Sequence, residues 1–308
     1  MPFFSVVIPL YNKASWIGAT LDSVLGQSFQ DFELLVINNG STDGSEQVVE
    51  SYQDNRIRLF HQENGGVSRA RNAGILEAKA HFIAFLDADD LWAPAFLEQL
   101  HQLIQQYPEA TAYGCQYAFR QKYTDIPPHQ PLLSGEKMQL IDNYFDQVAA
   151  GDMLLTASSV CIPKKWFTKV GLFPEGERIG EDQDMWARLA LAGPLAFHGS
   201  CAAYYRQEVG GMATAARPEA QLWPFVERLL HKLRSGRIPQ NLEPSVRRYA
   251  VRQLLGQASQ LVLDGQQKAA GVLLAIPEAR SGGKRFLYWK FVNQLPAFLL
   301  FFIKKRHG

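Results

Sequence analysis

Cysteine is scarce in this chain: Cys115, Cys161 and Cys201 are the only three among 308 residues, far apart and without metal-type spacing. That argues against a disulfide framework or a zinc-built site and fits a reducing compartment. No apolar run reaches the roughly 18 residues that a membrane-spanning helix needs. The opening "MPFFSVVIPLYN" has neither a basic start nor a small-residue cleavage site, so no signal peptide is expected. The expected location is therefore cytoplasmic. Net charge is only +1, which gives no support to nucleic-acid binding. Sequence repeats of fixed period and low-complexity segments are missing too. What is plentiful is apolar side chain, 47% of the whole, enough for one large domain or two unequal ones.

The first 90 residues alternate strand and helix. Ser5–Leu10, Phe32–Ile37, Arg56–Gln62 and Phe82–Leu86 read as strands, and Ile17, Leu21 and Val24 recur at helical spacing. Asp43 and Glu46 have capping-box spacing at the start of a second helix. A third helix follows "NGGV", and a fourth, carrying Leu97, Leu100, Leu103, Ile104 and Tyr107, stops before Pro108. This alternation predicts a parallel, three-layer α/β sheet. Farther on, Ala112–Phe119, Leu154–Ile162 and Leu195–Tyr205 look strand-like, around the Pro-rich stretch "DIPPHQPLLSGEK". A helix is expected from Asp182 to Ala192, with Met185, Trp186 and Leu189 inward. From about residue 216 the chain reads as helical, with a hairpin turning at Asp264-Gly265. The expected domains are 1–215 and 216–308.

Ligands of open α/β sheets bind beyond the carboxyl ends of the strands. Polar clusters fall at three such ends: Pro9-Leu10-Tyr11-Asn12, Asn38-Asn39-Gly40 and Asp87-Ala88-Asp89-Asp90. One aspartate of "FLDADD" could cap the next helix, but that leaves two carboxylates in mutual repulsion. A hard divalent cation, Mn2+ or Mg2+, would offset it, since such ions combine one or two carboxylates with substrate phosphates.

In order and spacing, "VVIPLYN", "INNGSTDGS", "NGGVSRARNAG", "FLDADD" and "GEDQDMWARL" resemble the family 2 glycosyltransferases, over roughly residues 3 to 210. The resemblance implies a GT-A fold, here with a C-terminal helical extension, and an inverting, nucleotide-sugar-dependent transferase. It implies that Asp87 and Asp89 bind the metal and the donor's ribose and diphosphate, with Ala88 between them and Asp90 in support. Pro9, Tyr11 and Asn12 would wall the nucleotide, and Arg71 and Asn72 would face the nucleotide or its diphosphate. Arg69 and Arg71 also fit a solvated helix face. Mid-helix Gly74, about 1 kcal/mol worse than Ala there, suggests close backbone packing.

Two departures stand out. The family usually has paired aspartates where this chain has Asn38 and Asn39; an amide carbonyl can accept from the base, but without charge, and Asn also suits a turn before Gly40. Tyr205-Arg206 resembles the family's Tyr-Arg, yet no His follows, leaving Gln207, Glu208 or water to complete a metal shell. His198 reads as structural. In "GED", Glu181 and Asp182 could simply favour a helix start and Asp184 pair with Arg188. By resemblance, Asp182 is the general base, with Glu181 as runner-up.

From Lys284 to Gly308 there are six Lys or Arg and no acid, against 25 basic and 30 acidic side chains in the other 283 residues. With the apolar run Leu295–Ile303, residues 286–308 match a peripheral contact to the cytoplasmic face of the inner membrane, or a helix packed on the core or another subunit. By resemblance to the family, the expected donor is a UDP-sugar and the acceptor a glycan or lipid-linked hydroxyl of surface polysaccharide or lipopolysaccharide. The competing readings are a catalytically impaired nucleotide-sugar-binding or scaffolding homologue and, among enzymes, a nucleotidyltransferase. The latter should carry a Gly-rich basic loop after strand one, which "PLYNKASWIG" lacks.

Overall fold

The computed structural model describes residues 1–121, 124–126, 137–150, 153–206, 221–296, 300 and 303. It divides into two compact units, Met1–Gly211 and Met212–Gly308.

In the first unit, strand β1 (Phe4–Leu10) leads to helix α1 (Ala14–Leu25), β2 (Phe32–Asn38), α2 (Ser45–Glu50), β3 (Ile57–His61), α3 (Gly66–Glu77) and β4 (Phe82–Phe85). Next come β5 (Leu91–Trp92), α4 (Phe96–Gln106), β6 (Tyr113–Gln121), β7 (Thr124–Ile126), β8 (Met138–Ile141) and α5 (Tyr144–Ala150). The unit is completed by β9 (Val160–Pro163), α6 (Lys164–Val170), α7 (Glu181–Ala192) and β10 (Leu195–Arg206). The strands lie in the order β3-β2-β1-β4-β9-β6-β10-β5, with β7 beside β6 and β8 beside β10.

The first four strands are parallel, as their βαβ spacing requires. Beyond them the sheet is mixed: β9 runs antiparallel to both β4 and β6. Leu154–Ile162 is not one strand. Its middle forms a 3-10 turn over Ala157–Ser159, fastened by Ser159 Oγ accepting from the Thr156 N–H at 2.9 Å, and only Val160 onward pairs. The expected capping box at α2 is absent. Gly44 precedes the helix, Asp43 accepts from the backbone N–H groups of Ala14 and Ser45, and Glu46 turns to Asn38 instead.

Both faces of β1 are covered, which explains its near-continuous apolar run. Val6, Ile8 and Leu10 share a core with Ile17, Leu21 and Val24 of α1. On the other face Val7 meets α3 at Gly74, where an added Cβ would sit 2.3 Å from Val7 Cγ1. That contact brings α3 against the sheet.

The second unit is helical: α8 (Pro224–Arg234), α9 (Glu243–Leu263), α10 (Gln267–Leu274) and α11 (Gly283–Val292). The hairpin between α9 and α10 turns as expected, with Gly265 at φ +75°. Phe286, Trp289 and Val292 of α11 are buried, and so is Leu300. Part of the 286–308 segment is therefore core, while Leu287 and Phe291 are 64% and 62% exposed.

Gly74→Ala should destabilise the protein by about 1–3 kcal/mol, read from urea unfolding, and Val7→Ala in the same chain should recover part of that loss. A gain of about 1 kcal/mol, the ordinary helix preference for Ala, would show that α3 has room to give.

Candidate active site

Strand register brings the polar clusters to one edge. Leu10 pairs with Asn38 and Val7 with Phe85, so the chain leaves β1, β2 and β4 side by side. Beyond β1, Asn12 adopts φ +50°, a left-handed conformation that Asn tolerates. Its N–H donates to Ser41 Oγ at 3.1 Å and its Oδ1 accepts from the Thr42 N–H at 2.8 Å. Tyr11 is 45% exposed and Pro9 half-buried.

The two asparagines after β2 are buried and engaged within the protein. Asn38 donates to Glu46 at 2.8 Å and accepts from the Ser41 N–H at 3.0 Å. Asn39 accepts from Gln62 and Gly65 and donates to Asn64 and Gly66. Their neutral amides thus knit the turn together, and any group they offer a ligand must come from what these bonds leave over.

The aspartates after β4 sit in three different environments. None caps α4, which starts at Phe96 without a side-chain cap. Asp90 is buried and accepts from Ser158 Oγ at 2.5 Å and from the Arg206 N–H at 3.0 Å. Burial first, then the charges of Asp87 and Asp89, push its carboxyl well above the usual range. Asp89 is half-buried and pairs with Lys13 at 2.7 Å. Asp87 accepts from Arg71 Nη2 at 2.8 Å.

Arg71 links that cluster to α7. Its side chain is 4% exposed, and its Nη1 donates to Glu181 at 3.0 Å while Nη2 holds Asp87. The solvated-face alternative is thereby excluded for Arg71; Arg69, by contrast, is exposed. Burial opposes the guanidinium's charge, but Asp87 and Glu181 outweigh it and raise its pKa above the ordinary arginine value. The neighbouring Asn72 faces elsewhere. It bonds both backbone groups of Phe173 at 2.9 Å and Glu175 at 3.0 Å, fastening the segment that leads to α7.

Helix α7 opens after Gly180 at φ +86°, a conformation that favours glycine. Asp184 is taken by Arg188 at 2.6 Å, as its i,i+4 spacing predicts. Glu181 is held by Arg71. Asp182 accepts only the Gln183 N–H, at 2.6 Å, among the hydrogen bonds of the described residues. Burial and the adjacent Glu181 charge push its pKa up to about 7, with Arg71 pulling the other way. A carboxylate near neutrality can both take and return a proton.

The motifs did not single out Lys13, Thr20 or Ser158. Thr20 and Trp16 receive Arg206, whose guanidinium also reaches the Asp89 carbonyl, so Arg206 locks β10 to the aspartate turn. Ser158 bridges Asp90 and the Asp87 N–H, and its carbonyl accepts from Trp92 at 2.7 Å. Sequence distance concealed these partners. Gln207, Glu208 and most of the Pro-rich stretch lie outside the described residues. His198 is buried in β10, where its ring accepts from the Ser200 N–H.

Among the described residues no cluster of three or more His, Cys, Asp or Glu side chains is arranged to hold a metal ion. Asp87 and Asp89 supply hard oxygen donors, fewer than a closed protein cage but in keeping with Mg2+ or Mn2+ sites completed by substrate phosphates.

A family model described as glycosyl transferase family 2 matches residues 5–170. A glycosyltransferase of Rickettsia felis is 30% identical over 202 residues, 64% of this chain but only 33% of the relative. Glycosyltransferase GlyG of Streptococcus pneumoniae serotype 4 is 29% identical over 220 residues, 68% of this chain and 72% of GlyG. Among solved structures, S. aureus TarS 1-349 in complex with UDP-GlcNAc superposes with a TM-score of 0.71 at 19% identity, covering 94% of this chain and 88% of that one. Mannosyltransferase PcManGT from Pyrobaculum calidifontis, in complex with GDP-Man and Mn2+, gives 0.59 at 18% identity, covering 95% and 84%. At such identities the structures speak for the fold alone: a mixed sheet with flanking helices, of GT-A type, with C-terminal helices. The family match takes in β1 through α6, more than half of the chain, and this protein therefore belongs to glycosyl transferase family 2.

Proposed function

We propose that the protein transfers a sugar with inversion from a UDP-sugar to a hydroxyl of a glycan or lipid-linked acceptor in surface polysaccharide or lipopolysaccharide synthesis. The transferase domain is residues 1–215, with 216–308 as its helical extension. The carrying observation is Arg71, which ties the Asp87 cluster to the start of α7 through two ion pairs. Structures of the same fold bound to UDP-GlcNAc, and to GDP-Man with Mn2+, support the nucleotide-sugar and metal parts of the reading.

Pro9, Tyr11, Asn12, Asn38 and Asn39 line the nucleotide end. Asp89 and Asp87, with Ala88 between them, would hold the donor's diphosphate end together with Mn2+ or Mg2+, whose charge would offset that of the departing diphosphate. Asp182 takes the acceptor's hydroxyl proton as that oxygen attacks the anomeric carbon in line. The new carbon–oxygen bond forms while the bond to the diphosphate breaks, and its electron pair leaves with the diphosphate. Glu181 is the weaker candidate for the base because Arg71 already holds it. The engaged amides of Asn38 and Asn39 favour a looser grip on the base than paired acids give, the one observation that suits an impaired, binding-only homologue.

No helix among the described residues is long and apolar enough to cross a membrane. In support of the peripheral contact proposed for 286–308, on the cytoplasmic face, the described part of that segment exposes Leu287, Tyr288 and Phe291 on α11 beside Lys284 and Lys290. Deleting 286–308 would also strip core side chains. Replacing Leu287 and Phe291 by Ser is the cleaner test: sedimentation with anionic vesicles should fall while folding is kept, and unchanged sedimentation would contradict the contact.

Asp182→Asn and Asp89→Ala should abolish transfer while circular dichroism stays native, and EDTA should stop the parent enzyme. Full turnover by both variants in EDTA would sink the mechanism. Transfer should climb with pH through about 7, as Asp182 loses its proton, and then level off. Stability should move the opposite way. A carboxyl with a raised pKa in the folded state binds more protons folded than unfolded, so folding weakens as pH rises from about 4 toward 7. Asp182→Asn should therefore be more stable than the parent at pH 8, with the gap closing toward pH 4, in urea titrations at both values.

A further inference from the structure

Lys13 has no part in the mechanism above, yet its ammonium stands 2.7 Å from Asp89 Oδ2, and each side chain is only 17% exposed. The other acids of the cluster have their own partners: Arg71 for Asp87, Ser158 and the Arg206 N–H for Asp90. Among the described residues Lys13 is the only side chain paired with the Asp89 carboxylate. The backbone around it is fixed. The Lys13 N–H donates to Ser45 Oγ at 2.8 Å, and its neighbours Asn12 and Ala14 are held by Ser41 and Asp43. Only the four-carbon stem can move, and a lysine ammonium on such a stem is a compact, mobile point charge.

We propose that Lys13 is a built-in counter-cation for Asp89. It competes with a divalent ion for that carboxylate and gives way when a nucleoside diphosphate arrives. This deepens the proposed function and rests on its assignment of Asp89 to the metal and diphosphate. A single and a double positive charge at contact repel each other. A divalent ion alone must therefore displace the ammonium with no new acceptor to receive it. A diphosphate supplies that acceptor in the same place, so ion and nucleotide enter together, each strengthening the other by the same factor. Lys13 thereby guards an acidic turn against free cations and then contributes its charge to the leaving group.

The test titrates Mn2+ alone, then UDP at saturating Mn2+, into the full chain by calorimetry. The variants are Lys13→Gln, Lys13→Met, Lys13→Arg and Asp89→Asn, each checked by thermal melting. With Mn2+ alone, Lys13→Gln and Lys13→Met should bind up to about fivefold tighter than the parent, the scale of one partly exposed ion pair. Lys13→Arg should stay near the parent. At saturating Mn2+, the two neutral variants should bind UDP more weakly. A lysine that merely supports the fold would not move the two affinities in opposite directions. Equal Mn2+ affinity in the parent and the neutral variants, with Asp89→Asn losing Mn2+, would overturn the role of Lys13 and leave the metal assignment standing. No Mn2+ binding by any of these proteins, with or without UDP, would overturn both.

Discussion

The site depends on one buried guanidinium. Arg71 is almost fully removed from water and balanced by two carboxylates that the chain supplies from positions 87 and 181. Its Nε has no partner among the described residues, so the pairing carries a real desolvation burden. Losing both carboxylates would leave a buried positive charge uncompensated, a defect on the order of 3–5 kcal/mol in comparable pairs. The planar, pre-organised fork of arginine suits this task where lysine would not. Because the bridge must close, the start of α7 has to lie against the aspartate turn.

That constraint also shapes the chemistry. By holding Glu181, Arg71 leaves Asp182 as the acid with little to hold it, and by its charge it keeps the Asp182 pKa from rising beyond about 7. Around the bridge, neighbours fix each component. Asn72 fastens the 173–175 segment, Ser158 and Arg206 hold Asp90, and Arg206 ties β10 to the same turn. The acids nearest the proposed leaving group and the acid proposed as base thus share one electrostatic unit, although about ninety residues separate them in the chain.

Much of this was legible from periodicity and motif order. The βαβ alternation, the polar strand ends and the packing role of Gly74 follow from local pattern, which registers burial directly. What stayed hidden was pairing between distant segments. Nothing near residues 154–162 signals that β9 runs antiparallel or that the 3-10 turn before it aims Ser158 at Asp90. Spacing at 43 and 46 suggested a capping box, but tertiary partners at Ala14 and Asn38 took those carboxylates. Likewise Arg71 on α3 could have faced water, and only tertiary partners, Asp87 after β4 and Glu181 of α7, decide that it does not.

The most direct test of a single displacement across this bridged site is the configuration of the product. Proton NMR should follow the first turnover of whichever α-linked UDP-sugar the enzyme uses fastest, reading the anomeric signal of the transferred sugar, or of the released sugar before it can mutarotate. The account predicts that the β-anomer appears first. An α-anomer appearing first would contradict it, since retention cannot come from one in-line attack assisted by Asp182.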